Sequence, residues 1–140
     1  KNIIDILRQR SRPYLFSNSL APSIVSASIV AISLIDNDTT ILKKLNDNTL
    51  YFRQNIINAG FDIKDGNHPI IPIMLGDAKL ASKLAKLMLE RGIYVVGFSF
   101  PVVPKGEARI RVQISAAHSK KQIDSAIDAF IECGKLLNII

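Results

Sequence analysis

The sequence predicts an α+β fold in which helices pack on a small sheet. Three observations lead to this class. Two long helical patterns occupy much of the first 60 residues, a strictly alternating strand pattern lies at residues 108–115, and shorter strand and helix patterns interleave over the second half of the chain. No internal repeat interrupts this order.

The chain is long enough for one core that needs neither a disulfide nor a metal. It has 140 residues, of which 48% are apolar and 21% charged. Its single cysteine, Cys133, excludes a disulfide within the chain and a cysteine-built zinc site. Cys133 follows the apolar stripe of the last helix, so we expect it to pack, and a reducing, cytoplasmic compartment is the expected location.

The first third of the chain is predicted to be largely helical. A helix over residues 2–11 should stop before Pro13, because the residue before a proline is disfavoured in the helical region. Residues 14–19 are predicted to be extended. Pro22 should begin the next helix, since its missing N–H is not needed in a first turn. That helix runs to Ile35 and is apolar on nearly all sides, so we expect most of its surface to be buried.

A polar break at residues 36–38 separates this helix from an amphipathic one. Apolar or small residues then recur every three or four positions until Gly60, the pattern of a helix with one buried face and a glycine stop. The stripe consists of Ile41, Leu45, Thr49, Phe52 and Ile56.

The remaining chain predicts a strand, a helix, two strands and a final helix. The first strand covers residues 70–75, and its internal Pro72 favours a sheet edge or a bulge. Asp77 is the predicted N-cap of the following helix, which closes at Arg91-Gly92, and residues 93–98 predict the second strand. A loop with two prolines follows, and the last helix begins at a capping box formed by Ser119 and Gln122.

The third strand carries the main candidate chemistry. In residues 108–115 the even positions are apolar and the odd positions polar, so Arg109 and Arg111 project from the same face. A guanidinium fixed on a strand beside a cleft can grip a carboxylate through two parallel hydrogen bonds. The alternative is that this face is simply solvated.

Other polar residues support weaker hypotheses. Ser17, Asn18 and Ser19 precede a proline-started helix and could bind a phosphate, although such runs are more often turns or N-caps. His68 and His118 are fifty residues apart without companion ligands, so we expect no metal site.

The formal net charge of +6 does not indicate a nucleic-acid partner. The basic residues cluster only within the first twelve positions, and no recognition motif accompanies them. The longest apolar run falls short of the roughly 18 residues needed to cross a bilayer, because Asp36 and Asp38 end it. We therefore expect neither a nucleic acid nor a membrane among the partners.

Three blocks, residues 7–22, 68–77 and 100–118, resemble the C-terminal part of the α-oxoamine synthases. The resemblance implies the C-terminal small domain of a fold-type I enzyme that uses pyridoxal 5'-phosphate and works as a homodimer with shared cofactor sites. Within the family, it implies the interconversion of 2-amino-3-oxobutanoate plus CoA and glycine plus acetyl-CoA, in threonine degradation. Residues 1–35 would be the end of the large domain and a linking helix, and residues 36–140 the small α+β domain.

The resemblance also implies roles for individual residues. Arg111 matches the arginine that binds the substrate carboxylate, and Ser17 and Asn18 match the stretch that reaches the cofactor of the other subunit, near its phosphate. Arg109 matches no residue of known role. The Schiff-base lysine belongs to a segment upstream of the chain's first residue, so we expect the chain to be a fragment that is inactive alone. A non-catalytic α+β module that binds an amino acid or another small carboxylate is the alternative.

Overall fold

The computed structural model describes residues 1–16 and 20–140. It contains two compact units, Lys1–Thr39 and Thr40–Ile140. The first unit is helical, and the second holds a three-stranded sheet with helices. The predicted α+β class is therefore confirmed.

The first unit contains helices α1 (Asn2–Arg10), α2 (Arg12–Phe16) and α3 (Pro22–Asn37). α1 ends where predicted, because Ser11 takes an extended conformation with φ −72° and ψ 104°. The prediction that residues 14–16 are extended is wrong, since they belong to α2. Pro13 lies in the first turn of α2, where its missing N–H costs nothing, and therefore starts this helix.

α3 begins at Pro22 as predicted, but none of its residues is buried. The expectation that most of its surface is covered is thus not met within the described chain. A helix that is apolar on all sides needs neighbours on every side, and α1 and α2 do not supply them. Among the described residues no single helix is both long and apolar enough to cross a membrane, and α3 reaches that length and composition only together with the helix that follows it, across a bend.

The second unit is built from helices α4 (Thr39–Asn58), α5 (Ala78–Glu90) and α6 (Lys120–Leu136) and strands β1 (Ile70–Gly76), β2 (Val96–Phe98) and β3 (Ala108–Gln113). The sheet has the order β1-β3-β2, and both pairings are antiparallel. β3 is therefore the central strand, and its side chains have neighbours on both sides.

β1 confirms the expectation for Pro72, because β1 is an edge strand of the sheet. β2 is shorter than the predicted strand over residues 93–98. The N–H of Ile93 donates to the carbonyl of Met88 at the end of α5, so the chain is still completing the helix terminus at this point. Within the predicted strand at residues 93–98, the part that pairs with β3 is Val96–Phe98.

The helix ends in this unit follow the sequence. The Asp77 side chain accepts a hydrogen bond of 2.7 Å from the N–H of Leu80 at the start of α5. Ser119 and Gln122 form the predicted capping box of α6. Both helices are therefore fixed at their N-termini by side-chain oxygens that satisfy free backbone N–H groups.

The core lies between the inner face of the sheet and the apolar faces of α4, α5 and α6. Phe130 of α6 is its centre, with edge-to-face contacts to Phe52 and Phe61 at centroid distances of 6.1 and 5.9 Å. Cys133 is fully buried here, as expected for a packing residue. Gly134 follows it where α6 passes so close to the Phe61 ring that a Cβ would stand 2.6 Å from its Cζ.

Candidate carboxylate site

The alternation of β3 divides its side chains between the core and an open pocket. Ala108, Ile110 and Val112 are buried on the inner face, so Arg109 and Arg111 share the outer face as predicted. The pocket on this outer face has a volume of about 450 Å³. It is lined by His68, Ile70, Pro72, Phe98, Val102, Val103, Arg109 and Arg111.

The two arginines are in different electrostatic situations. Nη1 of Arg109 lies 3.7 Å from Oε2 of Glu107, and the same oxygen lies 3.5 Å from Nζ of Lys64. The charge of Arg109 is thus partly balanced within the chain. Its side chain is only 22% exposed, which agrees with a group held in place by its neighbours.

Arg111 has no such partner among the residues that the structure describes. Within the described part of the chain, no hydrogen bond or ion pair engages its guanidinium, whose central carbon lies 4.5 Å from the centroid of the Phe98 ring. The residues opposite it on the two flanking strands are Pro72 and Val96, which have no side-chain group that could accept a hydrogen bond. The N–H donors of Arg111 are therefore available to an anion in the pocket.

One edge of the pocket is fixed by a buried arginine that sequence reasoning did not single out. Nη1 and Nη2 of Arg53 donate to the carbonyls of Lys64 and His68 at 2.9 and 3.2 Å. Arg53 is only 7% exposed, so these bonds are shielded from water. They hold the segment that brings His68 to the pocket.

His68 itself is oriented by its own backbone. Its Nδ1 accepts a hydrogen bond of 3.0 Å from the N–H of Ile70, so in the neutral ring Nε2 carries the proton. His118 instead takes part in the turn before α6, where its Nδ1 accepts from the N–H of Ser115. The two histidines line separate pockets, and within the described residues no group of three His, Cys, Asp or Glu could hold a metal ion.

Ser17 and Asn18 lie outside the described residues. None of the described residues that line the pocket is a lysine, so the pocket by itself fits a carboxylate and does not fit the covalent attachment of pyridoxal phosphate.

The sequence pattern predicts Arg111 as a site residue. It does not predict the two ring side chains, Phe98 and His68, that line the pocket with it. By pattern Phe98 is a strand residue, and His68 is a loop residue that lacks companion metal ligands. The antiparallel pairing of β2 with β3 brings Phe98 to Arg111, and His68 lies just before β1, the other neighbour of β3. A period-two count within each strand would have given the face of Phe98, but not its neighbour.

Comparisons with known proteins agree with this architecture. Residues 1–130 match the family model described as aminotransferase class I and II. The 2-amino-3-ketobutyrate coenzyme A ligase of Homo sapiens, named as mitochondrial, is 54% identical over 134 residues, which are 96% of this chain and 32% of that protein. The protein of the same name from Salmonella typhimurium is 51% identical over the whole chain and 35% of its own length.

Similarity extends to solved structures. Sphingomonas wittichii serine palmitoyltransferase superposes with a TM-score of 0.90 at 27% identity, over 98% of this chain and 35% of that one. A structure of SPT with PLP gives a TM-score of 0.92 at 26% identity, over 98% of this chain and 35% of that one. The chain thus spans about a third of the length of the curated relatives it matches. The resemblance inferred from the three sequence blocks is confirmed.

Proposed function

Because the chain belongs to the aminotransferase class I and II family, we propose that the complete protein is a pyridoxal-phosphate enzyme that interconverts 2-amino-3-oxobutanoate plus CoA and glycine plus acetyl-CoA. This is the activity of a glycine C-acetyltransferase, also called 2-amino-3-ketobutyrate coenzyme A ligase. The 51–54% identity to proteins of the latter name supports the choice within the family. A place in threonine degradation belongs to the same proposal.

In this proposal the chain supplies the C-terminal part of the enzyme. Residues 1–35 end the large domain and form the linking helix, and residues 36–140 form the small domain. The chain spans about a third of the relatives' length, which supports its being one part of a larger protein. The Schiff-base lysine then lies outside the chain, and the 140 residues alone are inactive.

Arg111 is proposed to bind the carboxylate of the amino-acid substrate. The observation that carries this assignment is the difference between the two arginines of β3. Glu107 pairs with Arg109, whereas Arg111 faces the pocket and no group of the described residues occupies its donors. A planar guanidinium offers a carboxylate two parallel charge-assisted hydrogen bonds, and the rigid central strand fixes their direction. Arg111 thereby orients the substrate by its carboxylate end.

The remaining parts of the proposal concern the cofactor and the second subunit. Ser17 and Asn18 are proposed to reach the pyridoxal phosphate of the other subunit in a homodimer, near its phosphate. The family match and the solved structure of a relative with PLP support the presence of this cofactor in the proposal. The cytoplasmic location stays a prediction, because the mammalian relatives are named as mitochondrial.

Substitution of each arginine by lysine in the complete holoenzyme tests the carboxylate assignment. Arg111→Lys keeps the charge and removes the fork, so we expect KM for glycine or 2-amino-3-oxobutanoate to rise about tenfold or more, with a smaller change in kcat. Arg109→Lys is the matched control on the same strand face. The KM of this variant should change by less than about threefold, because the charge of Arg109 is paired with Glu107.

Two results would contradict the assignment. An unchanged KM in Arg111→Lys would remove this residue from the substrate site, and equal increases of KM in the two variants would mean that the substrate carboxylate is not bound by Arg111 alone. The alternative function, a module that binds a small carboxylate without catalysis, is favoured by a pocket lined by two arginines and no lysine among the described residues. It predicts that the complete protein binds glycine but forms no product with acetyl-CoA.

A further inference from the structure

We propose that Phe98 is a positioning residue that holds the Arg111 guanidinium in the orientation needed to bind the substrate carboxylate. This inference rests on the proposed role of Arg111. It concerns the group that fixes the arginine rather than the arginine itself. Three features of the sheet support it: the strand register, the chemistry of the residues around Arg111 and the contrast with Arg109.

The register makes the contact between Phe98 and Arg111 a diagonal one. Val96 lies directly opposite Arg111 across the β2–β3 pairing, and Phe98 lies opposite Arg109. The guanidinium of Arg111 nevertheless lies over the Phe98 ring, 4.5 Å from its centroid. Diagonal neighbours on one face of an antiparallel pair are within reach of long and aromatic side chains. Arg111 therefore leans along the sheet toward the ring.

The ring can hold the guanidinium without occupying its donors. The face of an aromatic ring attracts a cation through its quadrupole, and the contact needs no N–H group of the arginine. A carboxylate partner would compete with the substrate for those N–H groups, and at Arg109 such a partner, Glu107, lies 3.7 Å from Nη1. Phe98 is thus the kind of neighbour that restrains Arg111 and leaves its hydrogen-bonding edge open.

The two residues directly opposite Arg111 in the sheet cannot replace this restraint. Pro72 and Val96 flank it on the two adjacent strands, and neither has a π system or a side-chain acceptor. Arg111 is also exposed, so packing alone does not fix its long side chain. Without the ring, the guanidinium would sample several rotamers, and a substrate would have to order it at a cost in binding free energy.

The chain offers a matched control in a second contact of the same type. Nζ of Lys105 lies 5.2 Å from the centroid of the Phe100 ring, two residues after Phe98. Phe100 is 60% exposed and does not line the pocket. Its substitution removes a similar cation–aromatic contact from the same region without touching Arg111.

The test uses steady-state kinetics of the complete holoenzyme with Phe98→Leu, Phe98→Tyr and Phe100→Leu. We expect Phe98→Leu to raise KM for the amino-acid substrate roughly three- to tenfold, with kcat changed less than about twofold. Phe98→Tyr keeps the ring, so its KM should stay near the wild-type value. Phe100→Leu should also leave KM unchanged. If Phe98→Leu yields little folded protein, Phe98→Met, which fills a similar volume without a ring, replaces it.

A double-mutant cycle separates positioning from a general structural effect. If Phe98 acts through Arg111, then Phe98→Leu should have no further effect on KM in the Arg111→Lys background. An additive effect would overturn the proposal, as would an unchanged KM in both Phe98→Leu and Phe98→Met. If Arg111→Lys itself leaves KM unchanged, the proposed carboxylate role fails and the positioning role fails with it. If Arg111→Lys raises KM but Phe98→Leu does not, only the positioning role fails.

Discussion

Replacing Gly134 with alanine tests how tightly α6 packs in the core. The added Cβ would stand 2.6 Å from Cζ of Phe61 and 3.1 and 3.2 Å from Cγ1 and Cδ1 of Ile140. The first distance is below any normal contact, so a neighbour must move. Ile140 is only partly buried and can shift, whereas Phe61 is 4% exposed and its ring meets Phe130 edge to face.

Two opposing effects decide the magnitude. Overpacking a filled core costs about 1–3 kcal/mol. Replacing glycine with alanine inside a helix stabilises the helix by about 1 kcal/mol. Because the Phe61 ring is pinned by Phe130, we take the upper part of the overpacking range, which leaves a net destabilisation of about 1–2 kcal/mol for Gly134→Ala.

Hydrogen exchange of α6 amides in the complete protein, followed by mass spectrometry, measures this change locally. Under conditions in which opening is at equilibrium, the exchange of protected α6 peptides should be about 5- to 30-fold faster. In a Phe61→Leu background the end of the ring is absent, so the same glycine substitution should slow exchange instead, through its helix propensity. Slower exchange of Gly134→Ala in the wild-type background would refute the reasoning.

Two further predictions concern a helix cap and an ionisable side chain. Asp77→Ala removes the acceptor for the N–H of Leu80, so the free energy of unfolding should fall by about 1 kcal/mol, whereas Asp77→Ser should keep most of the stability of the wild type. The midpoints of urea unfolding measure this difference. Equal midpoints for the two variants would contradict the role of Asp77 as a cap. The hydrogen bond from Tyr51 to Asp124 (2.7 Å) raises the pKa of Tyr51, so its contribution to stability is complete below about pH 10 and is lost as the pH rises further. The melting temperature of the wild type should therefore fall more steeply than that of Tyr51→Phe above pH 10, and parallel curves would exclude this linkage.

The sequence predicted those parts of the fold that depend on local rules. The N-cap at Asp77, the capping box at Ser119 and the alternation of β3 require only a few neighbouring residues, and each is found in the structure. The prediction for residues 14–16 is wrong because the rule for proline allows two structures. Pro13 could end one helix or begin another, and it begins α2.

The candidate site was predictable only in its central residue. Arg111 follows from the period of two and from the family resemblance. The contact with Phe98, the anchoring of His68 by Arg53 and the pairing of Arg109 with Glu107 depend on strand register and on side-chain reach. These are set by tertiary packing, so no pattern within one segment could have revealed them.

Because β3 is the central strand, the geometry of the pocket depends on the number of residues within this strand. Inserting or deleting one residue just before Arg109 would exchange the two faces, which would turn both guanidinium groups toward the core and Ile110 and Val112 toward the pocket. A change of two residues would keep the faces but move the arginines about 6.8 Å along the sheet, so that one arginine takes the register position of the other. We therefore expect the loop before β3 to tolerate changes in length, and the strand itself to tolerate substitutions but not insertions.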